Sequence, residues 1–230
     1  MRRVLPVYGL SIGDLKVQGG NVRVKNENGD IAWAYSIKQH GKIGIAACAR
    51  SATVYMTEVL RRLGYNVGHE MHGDDGSVGY HLAVVRPDGC FHQVRDPLKQ
   101  ISSMVAHKSW GFCQQATGIT GFGLYSCMRY WLKWNKMCEE FCVWRYRIEH
   151  LPEIWDEFLE RLGHEKCEMP DIPTNTNSHK EKYIDYTWDD LFNEDRQLAQ
   201  DIYNKAVEYG YSVPDMDKTE DRQVLENLVA

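Results

Sequence analysis

The chain has 230 residues, 43% hydrophobic and 26% charged, a balance typical of a globular domain and not of a disordered chain. Its 27 basic and 32 acidic side chains give a formal net charge of −5, which argues against a general nucleic-acid-binding or anionic-membrane-binding protein. Seven cysteines at irregular spacings predict reduced thiols in a cytoplasmic protein. The apolar stretches are too short to span a bilayer.

The two ends of the chain predict appendages to one main domain. Residues 1–40 read as short strands, and residues 21–37 alternate around the turn signal Asn28-Gly29-Asp30, which predicts a hairpin. We assign no role to this β-rich extension. Residues 212–230 form an acidic C-terminal tail.

A strand, a turn and a helix follow one another from Gly41 onward. The apolar run Ile43–Cys48 predicts a buried parallel strand. Apolar residues then recur at helical spacing over residues 56–63, and Gly64 is placed to end that helix. The polar turn 49–53 joins the two elements.

The remaining segments continue this alternation. Further strands are predicted at 66–70, 80–85, 90–94 and 144–148, and further helices at 97–103, 124–141, 152–162 and 197–209. Strands that alternate with helices predict a three-layer α/β domain over residues 41–211, with a largely parallel sheet between helices.

The turn at 49–53 is the best candidate for an anion-binding site. A helix that begins directly after a buried strand presents unpaired N–H groups and the positive end of its dipole. Arg50 adds a cation, and Ser51 and Thr53 add hydroxyl groups. The turn lacks the lysine and second glycine of the G-x-x-x-x-G-K-[ST] motif, and Ala52 stands where a tight loop favours glycine.

This turn resembles that of the sulfotransferase family, whose members transfer a sulfuryl group from 3′-phosphoadenosine 5′-phosphosulfate. Residues 50–54 align with the family's [KR]-S-G-T-[TS] turn. A second family element is an arginine, usually in R-[DN]-P, with a serine eight positions later. Arg95 and Ser103 have this spacing. Residues 145–151 are similar to the family's R-Y-E-D-L segment, and residues 177–179 and 186–191 resemble the C-terminal segment of bacterial members.

The resemblance implies a P-loop NTPase-like sulfotransferase fold that uses this donor and requires no metal. The turn would hold the 5′-phosphosulfate, with Arg50 as the catalytic cation, and the later arginine and serine would hold the 3′-phosphate. The implied donor-binding residues are Arg50, Ser51, Ala52, Thr53, Arg95 and Ser103.

Glu70 and His81 are the leading candidates for the base that takes the proton of the acceptor, ahead of His69 and His72. Glu70 lies 20 residues after Arg50, at the predicted end of the second strand, where some carbohydrate sulfotransferases have a catalytic glutamate. His81 is the alternative, because cytosolic members use a histidine upstream of the R-[DN]-P element. The histidines between 69 and 92 do not match the H-E-x-x-H spacing of zinc peptidases, so we expect no metal site.

The sequence therefore predicts sulfuryl transfer to a hydroxyl or amine of a carbohydrate or small-molecule acceptor, with no nucleic-acid or membrane partner. Two alternatives stay open: a P-loop-like kinase that uses ATP and magnesium, and a non-catalytic nucleotide-binding or scaffold protein. The second is open because the Cβ of Ala52 would crowd the anion site if its φ were positive. The acceptor and the oligomeric state do not follow from the sequence.

Overall fold

The computed structural model describes residues 15–18, 21–25, 31–36, 43–107, 111–173 and 184–214. The predicted turn at Asn28–Asp30, the motif at 177–179 and the tail from 215 onward lie outside the described residues.

The N-terminal strands form a three-stranded antiparallel sheet. It contains β1 (Leu15–Gln18), β2 (Asn21–Lys25) and β3 (Ile31–Ser36) in that order. The strands β2 and β3 pair in antiparallel register, with Val22 opposite Tyr35, as the alternating pattern of residues 21–37 predicts.

The main domain is built on a five-stranded parallel sheet, and the predicted α/β class is confirmed. Its strands are β4 (Ile43–Ala47), β5 (Val67–His69), β6 (Gly76–Gly79), β7 (Phe91–Val94) and β8 (Trp144–Arg147). They lie in the order β5-β6-β4-β7-β8, and all four pairings are parallel.

Helices cover both faces of this sheet. The described residues contain α1 (Thr53–Arg62), α2 (Leu82–Val85), α3 (Pro97–His107), α4 (Gly111–Thr117), α5 (Leu124–Glu139), α6 (Trp155–Leu162), α7 (Trp188–Glu194) and α8 (Arg196–Glu208).

The sheet has a separate apolar cluster on each face. Ile45 packs with side chains of α1 and α6, including Met56 and Phe158. Its neighbour Ala46 belongs to the opposite cluster, which contains Trp131 of α5 and side chains of α2, α3, α7 and α8. Successive side chains of a strand point to opposite faces, so the helices and the sheet form three layers.

The prediction of a strand at 80–85 is wrong, because Leu82–Val85 forms the helix α2 and the strand β6 lies just before it. Leu82–Val85 is buried throughout, and a short buried apolar run does not distinguish a strand from a helix. The strand β6 was not predicted because it begins with a glycine, Gly76. Only glycine fits at this position, because its φ is +145° and a Cβ there would lie 1.8 Å from the Ile43 carbonyl oxygen.

The helix α7 was not predicted, although its start has a capping box. The Asp190 N–H donates to Thr187 Oγ1 at 3.2 Å, and the Thr187 N–H donates to Asp190 Oδ2 at 2.8 Å. The box orients Trp188 and Leu191, which are buried in the cluster around α5.

The strand order creates a crevice between the carboxyl ends of β4 and β7. The chain leaves β4 through α1 toward β5 on one side, and it leaves β7 toward β8 on the other side. Ligands of open parallel sheets bind where neighbouring connections diverge in this way. The residues that follow β4 and β7 therefore line the expected binding site.

Within the described residues, no helix has the length and apolar character needed to cross a membrane.

We predict that Thr187→Ala lowers the free energy of unfolding by about 1 kcal/mol, because a helix N-cap hydroxyl typically contributes that much. Urea unfolding of the whole protein measures the change. Thr187→Ser keeps the hydroxyl and should retain most of the stability. Equal losses in the two variants would contradict the capping role.

Candidate functional site

The loop between β4 and α1 turns through two left-handed residues. Arg50 has a φ of 67° and Ala52 a φ of 64°. Ala52 is the N-cap of α1 and forms no side-chain cap hydrogen bond. The Met56 N–H donates to the Ala52 carbonyl at 3.1 Å, so the N–H groups of the preceding helical residues have no intrahelical partner. This is the arrangement of an anion-binding helix N-terminus.

Three of the predicted donor-binding side chains meet beside this loop. Arg50 Nε donates to Ser103 Oγ at 2.9 Å, and Arg95 Nη1 donates to the Arg50 carbonyl at 2.9 Å. Arg50 follows β4, Arg95 follows β7, and Ser103 lies in α3. The fold thus brings two guanidinium groups and a hydroxyl to the crevice, a set suited to phosphate or sulfate oxygens.

Ser51 and Thr53 make contacts within the protein. Ser51 is fully buried, and its hydroxyl donates to the Cys48 carbonyl at 2.7 Å, so this side chain stabilises the turn itself. Thr53 is the first residue of α1, and its Oγ1 lies 3.0 Å from Nε2 of His69. Thr53 therefore connects the helix N-terminus to the end of β5.

Glu70 lies just past β5, in a left-handed conformation with a φ of 55°. Its N–H donates to the Val78 carbonyl at 2.9 Å. A Cβ at Gly79 would lie 3.1 Å from Glu70 Cγ, so a larger residue at position 79 would crowd the Glu70 side chain. Burial raises the pKa of Glu70, while the hydrogen bond with Tyr80 and the charge of Arg50 oppose that rise.

His69 lies between Thr53 and Glu70. Its Nε2 is 3.6 Å from Glu70 Oε1 as well as 3.0 Å from the threonine hydroxyl. Burial lowers the pKa of His69, and the charges of Arg61 and Arg50 lower it further. These effects favour the neutral imidazole form of His69.

His81, the other candidate base, lies inside the fold. It is fully buried, and its Nε2 is 2.9 Å from Ser77 Oγ. The Ser77 hydroxyl donates to the Met71 carbonyl at 2.6 Å, which leaves that oxygen to accept from the imidazole. Glu70 is partly exposed, so an acceptor can reach Glu70 more easily than His81.

The other described histidines are not grouped around a metal site. His92 is buried, its Nε2 lies 3.0 Å from Asn135 Oδ1, and burial lowers its pKa to about 3. In the part of the chain that the structure describes, no group of three or more His, Cys, Asp or Glu side chains is arranged to hold a metal ion.

Sequence reasoning missed three residues that shape the site: Tyr80 beside Glu70, and Gln93 and Gln100 beneath the loop. The pattern H-Q-V-R-D-P-L-K-Q holds both glutamines, but only the fold shows that they face the loop after β4.

No family model and no curated protein matches the chain.

We predict that Ala52→Gly raises the free energy of unfolding by about 1 kcal/mol, because glycine adopts the left-handed conformation without a Cβ penalty. Chemical denaturation measures the change. Ala206 is buried within α8, and Ala206→Gly should instead lower the stability by about 1 kcal/mol. A loss of stability in Ala52→Gly would show that the turn is not strained.

We predict that the stability advantage of Glu70→Gln over the wild type grows as the pH rises. A carboxyl group whose pKa is raised in the folded state binds more protons folded than unfolded, so its contribution falls as the pH rises through that pKa. Glutamine resembles the neutral carboxyl and has no such dependence. Denaturation at about pH 4.5, close to the ordinary pKa of a glutamate, and at about pH 7.5, well above it, measures this trend. The same substitution at exposed Glu153 is the control, and an equal pH trend there would contradict the assignment to Glu70.

Proposed function

We propose that the protein is a sulfotransferase of the P-loop NTPase-like fold, which transfers a sulfuryl group from 3′-phosphoadenosine 5′-phosphosulfate to a hydroxyl or amine of a carbohydrate or small-molecule acceptor. The observation that carries the proposal is the meeting of Arg50, Arg95 and Ser103 at the crevice between β4 and β7.

The donor has two anionic ends, and the crevice has a group suited to each. The N–H groups at the start of α1, with Arg50, would bind the 5′-phosphosulfate. Arg95 and Ser103, on the β7 side of the crevice, would bind the 3′-phosphate. The guanidinium of Arg50 donates to the Ser103 hydroxyl, so two of the proposed ligand-binding groups hold each other in place.

Glu70 would act as the base. The acceptor oxygen or nitrogen forms a bond to sulfur, the bond between sulfur and the bridging phosphate oxygen breaks, and Glu70 takes the acceptor proton. Arg50 would stabilise the negative charge that develops on the leaving phosphate. This chemistry depends mainly on positioning and electrostatics, as phosphoryl transfer does.

One observation favours a second candidate, a non-catalytic nucleotide-binding protein. The φ of Ala52 is 64°, which is a left-handed backbone conformation. The Cβ of Ala52 would therefore crowd the N-terminus of α1, where the phosphate or sulfate would bind. Under this hypothesis the chain binds the nucleotide but transfers nothing.

We predict that the protein binds adenosine 3′,5′-bisphosphate in preference to ATP with magnesium, and that Arg95→Ala weakens this binding by about tenfold to a hundredfold. A lost charge-assisted hydrogen bond has an effect of this size. Titration calorimetry measures both. Arg129 is an exposed arginine of α5, and Arg129→Ala removes the same charge without touching the crevice.

The outcomes separate the candidates. Equal affinity of the Arg95→Ala variant and the wild type would contradict the proposed 3′-phosphate site. A preference for ATP would favour a kinase. Bisphosphate binding, together with transfer of labelled sulfate that Arg50→Ala abolishes, would support the sulfotransferase over the non-catalytic protein.

A further inference from the structure

Side chains hold four consecutive carbonyl groups of the loop after β4. Two of the four donors come from glutamines, one from an arginine and one from a serine within the loop. In loop order they are Ser51 Oγ to the Cys48 carbonyl at 2.7 Å, Gln100 Nε2 to the Ala49 carbonyl at 2.7 Å, Arg95 Nη1 to the Arg50 carbonyl at 2.9 Å, and Gln93 Nε2 to the Ser51 carbonyl.

The two glutamines have fixed amide orientations. The Trp131 indole N–H donates to Gln100 Oε1 at 3.0 Å, and an indole nitrogen can only donate. The Tyr146 hydroxyl donates to Gln93 Oε1 at 2.7 Å. Both glutamines are fully buried, so each amide oxygen is held by an aromatic side chain and each amide nitrogen is left to face the loop.

This arrangement determines where the loop N–H groups point. In a trans peptide the carbonyl and the N–H of the same plane point in opposite directions, and the described residues contain no cis peptide. The carbonyls of Ala49 and Ser51 are directed to buried glutamines, so the N–H groups of Arg50 and Ala52 point away from those glutamines. Two N–H groups on the same side of a loop can bind one anion together.

We propose that Gln93 and Gln100 are positioning residues for a tetrahedral oxyanion, a phosphate or a sulfate, bound at the loop. They act through the backbone, because they direct the carbonyls of Ala49 and Ser51 into the protein and leave the N–H groups of Arg50 and Ala52 to face the anion. The identity of the nucleotide ligand rests on the proposed function, whereas the orientation of the loop does not.

The test is Gln100→Glu, which keeps the size of the side chain and the oxygen that accepts from Trp131. The donor to the Ala49 carbonyl becomes a carboxylate oxygen, which repels that carbonyl. Protonation of the new carboxyl supplies an O–H donor and restores the contact, and burial raises the pKa of such a group into an accessible range.

We expect Gln100→Glu to bind adenosine 3′,5′-bisphosphate about tenfold or more weakly than the wild type at about pH 8, and to recover toward the wild-type affinity at about pH 5.5. Gln114 Nε2 donates to the Gly121 carbonyl at 3.2 Å away from the crevice, so Gln114→Glu is the matched control. The Gln114→Glu variant should bind the bisphosphate with the affinity of the wild type at both pH values.

Three results would overturn the positioning role while leaving the proposed donor intact: equal affinities of Gln100→Glu and the wild type at the higher pH, a loss that the lower pH does not reverse, or the same loss in Gln114→Glu. If the wild type binds no bisphosphate, the proposed function fails, and amide hydrogen exchange in the ligand-free protein decides the inference. Faster exchange of residues 48–53 in Gln100→Glu alone would support it, and unchanged exchange would overturn it.

Discussion

The left-handed turn between β4 and α1 sets the geometry of the carboxyl edge of the sheet. Left-handed conformations at Arg50 and Ala52 cost about 1–2 kcal/mol each for residues with a Cβ. The four side-chain hydrogen bonds to the loop carbonyls contribute about 1 kcal/mol each, which is enough to offset that cost. Three of these four donors come from β7, from the residue that follows it and from α3, so the turn is stabilised largely from that side of the sheet.

The segment after β7 is in turn fixed from the side of β8. Glu149 follows β8 and accepts from the Asp96 N–H at 2.8 Å and from the Tyr211 hydroxyl at 3.0 Å. Asp96 precedes α3 and directly follows Arg95, so these contacts orient the arginine that holds the loop. Under the proposed function, the segment 145–151 therefore supports the site from a distance.

The sequence indicated those parts of the site that depend on local patterns. The apolar run of β4 and the helical spacing in α1 predicted the strand, the turn and the helix, and the Arg95–Ser103 spacing predicted a pair that lies at the crevice. Residues 80–85 were misassigned because a buried four-residue helix has no periodicity of its own. Gln93 and Gln100 contact carbonyls 42 and 51 residues earlier in the chain, and no local pattern reports contacts over such separations.

The field of Arg50 acts on both ionisable groups beside the helix N-terminus. It lowers the pKa of His69 and opposes the rise in the pKa of Glu70, so it favours a neutral imidazole and a charged carboxylate, the basic form of each. A bound anionic donor would offset this field and would raise the proton affinity of Glu70. Under the proposed function, the base is therefore strongest when the donor occupies the loop, because the donor neutralises the arginine that lowers the pKa of that base.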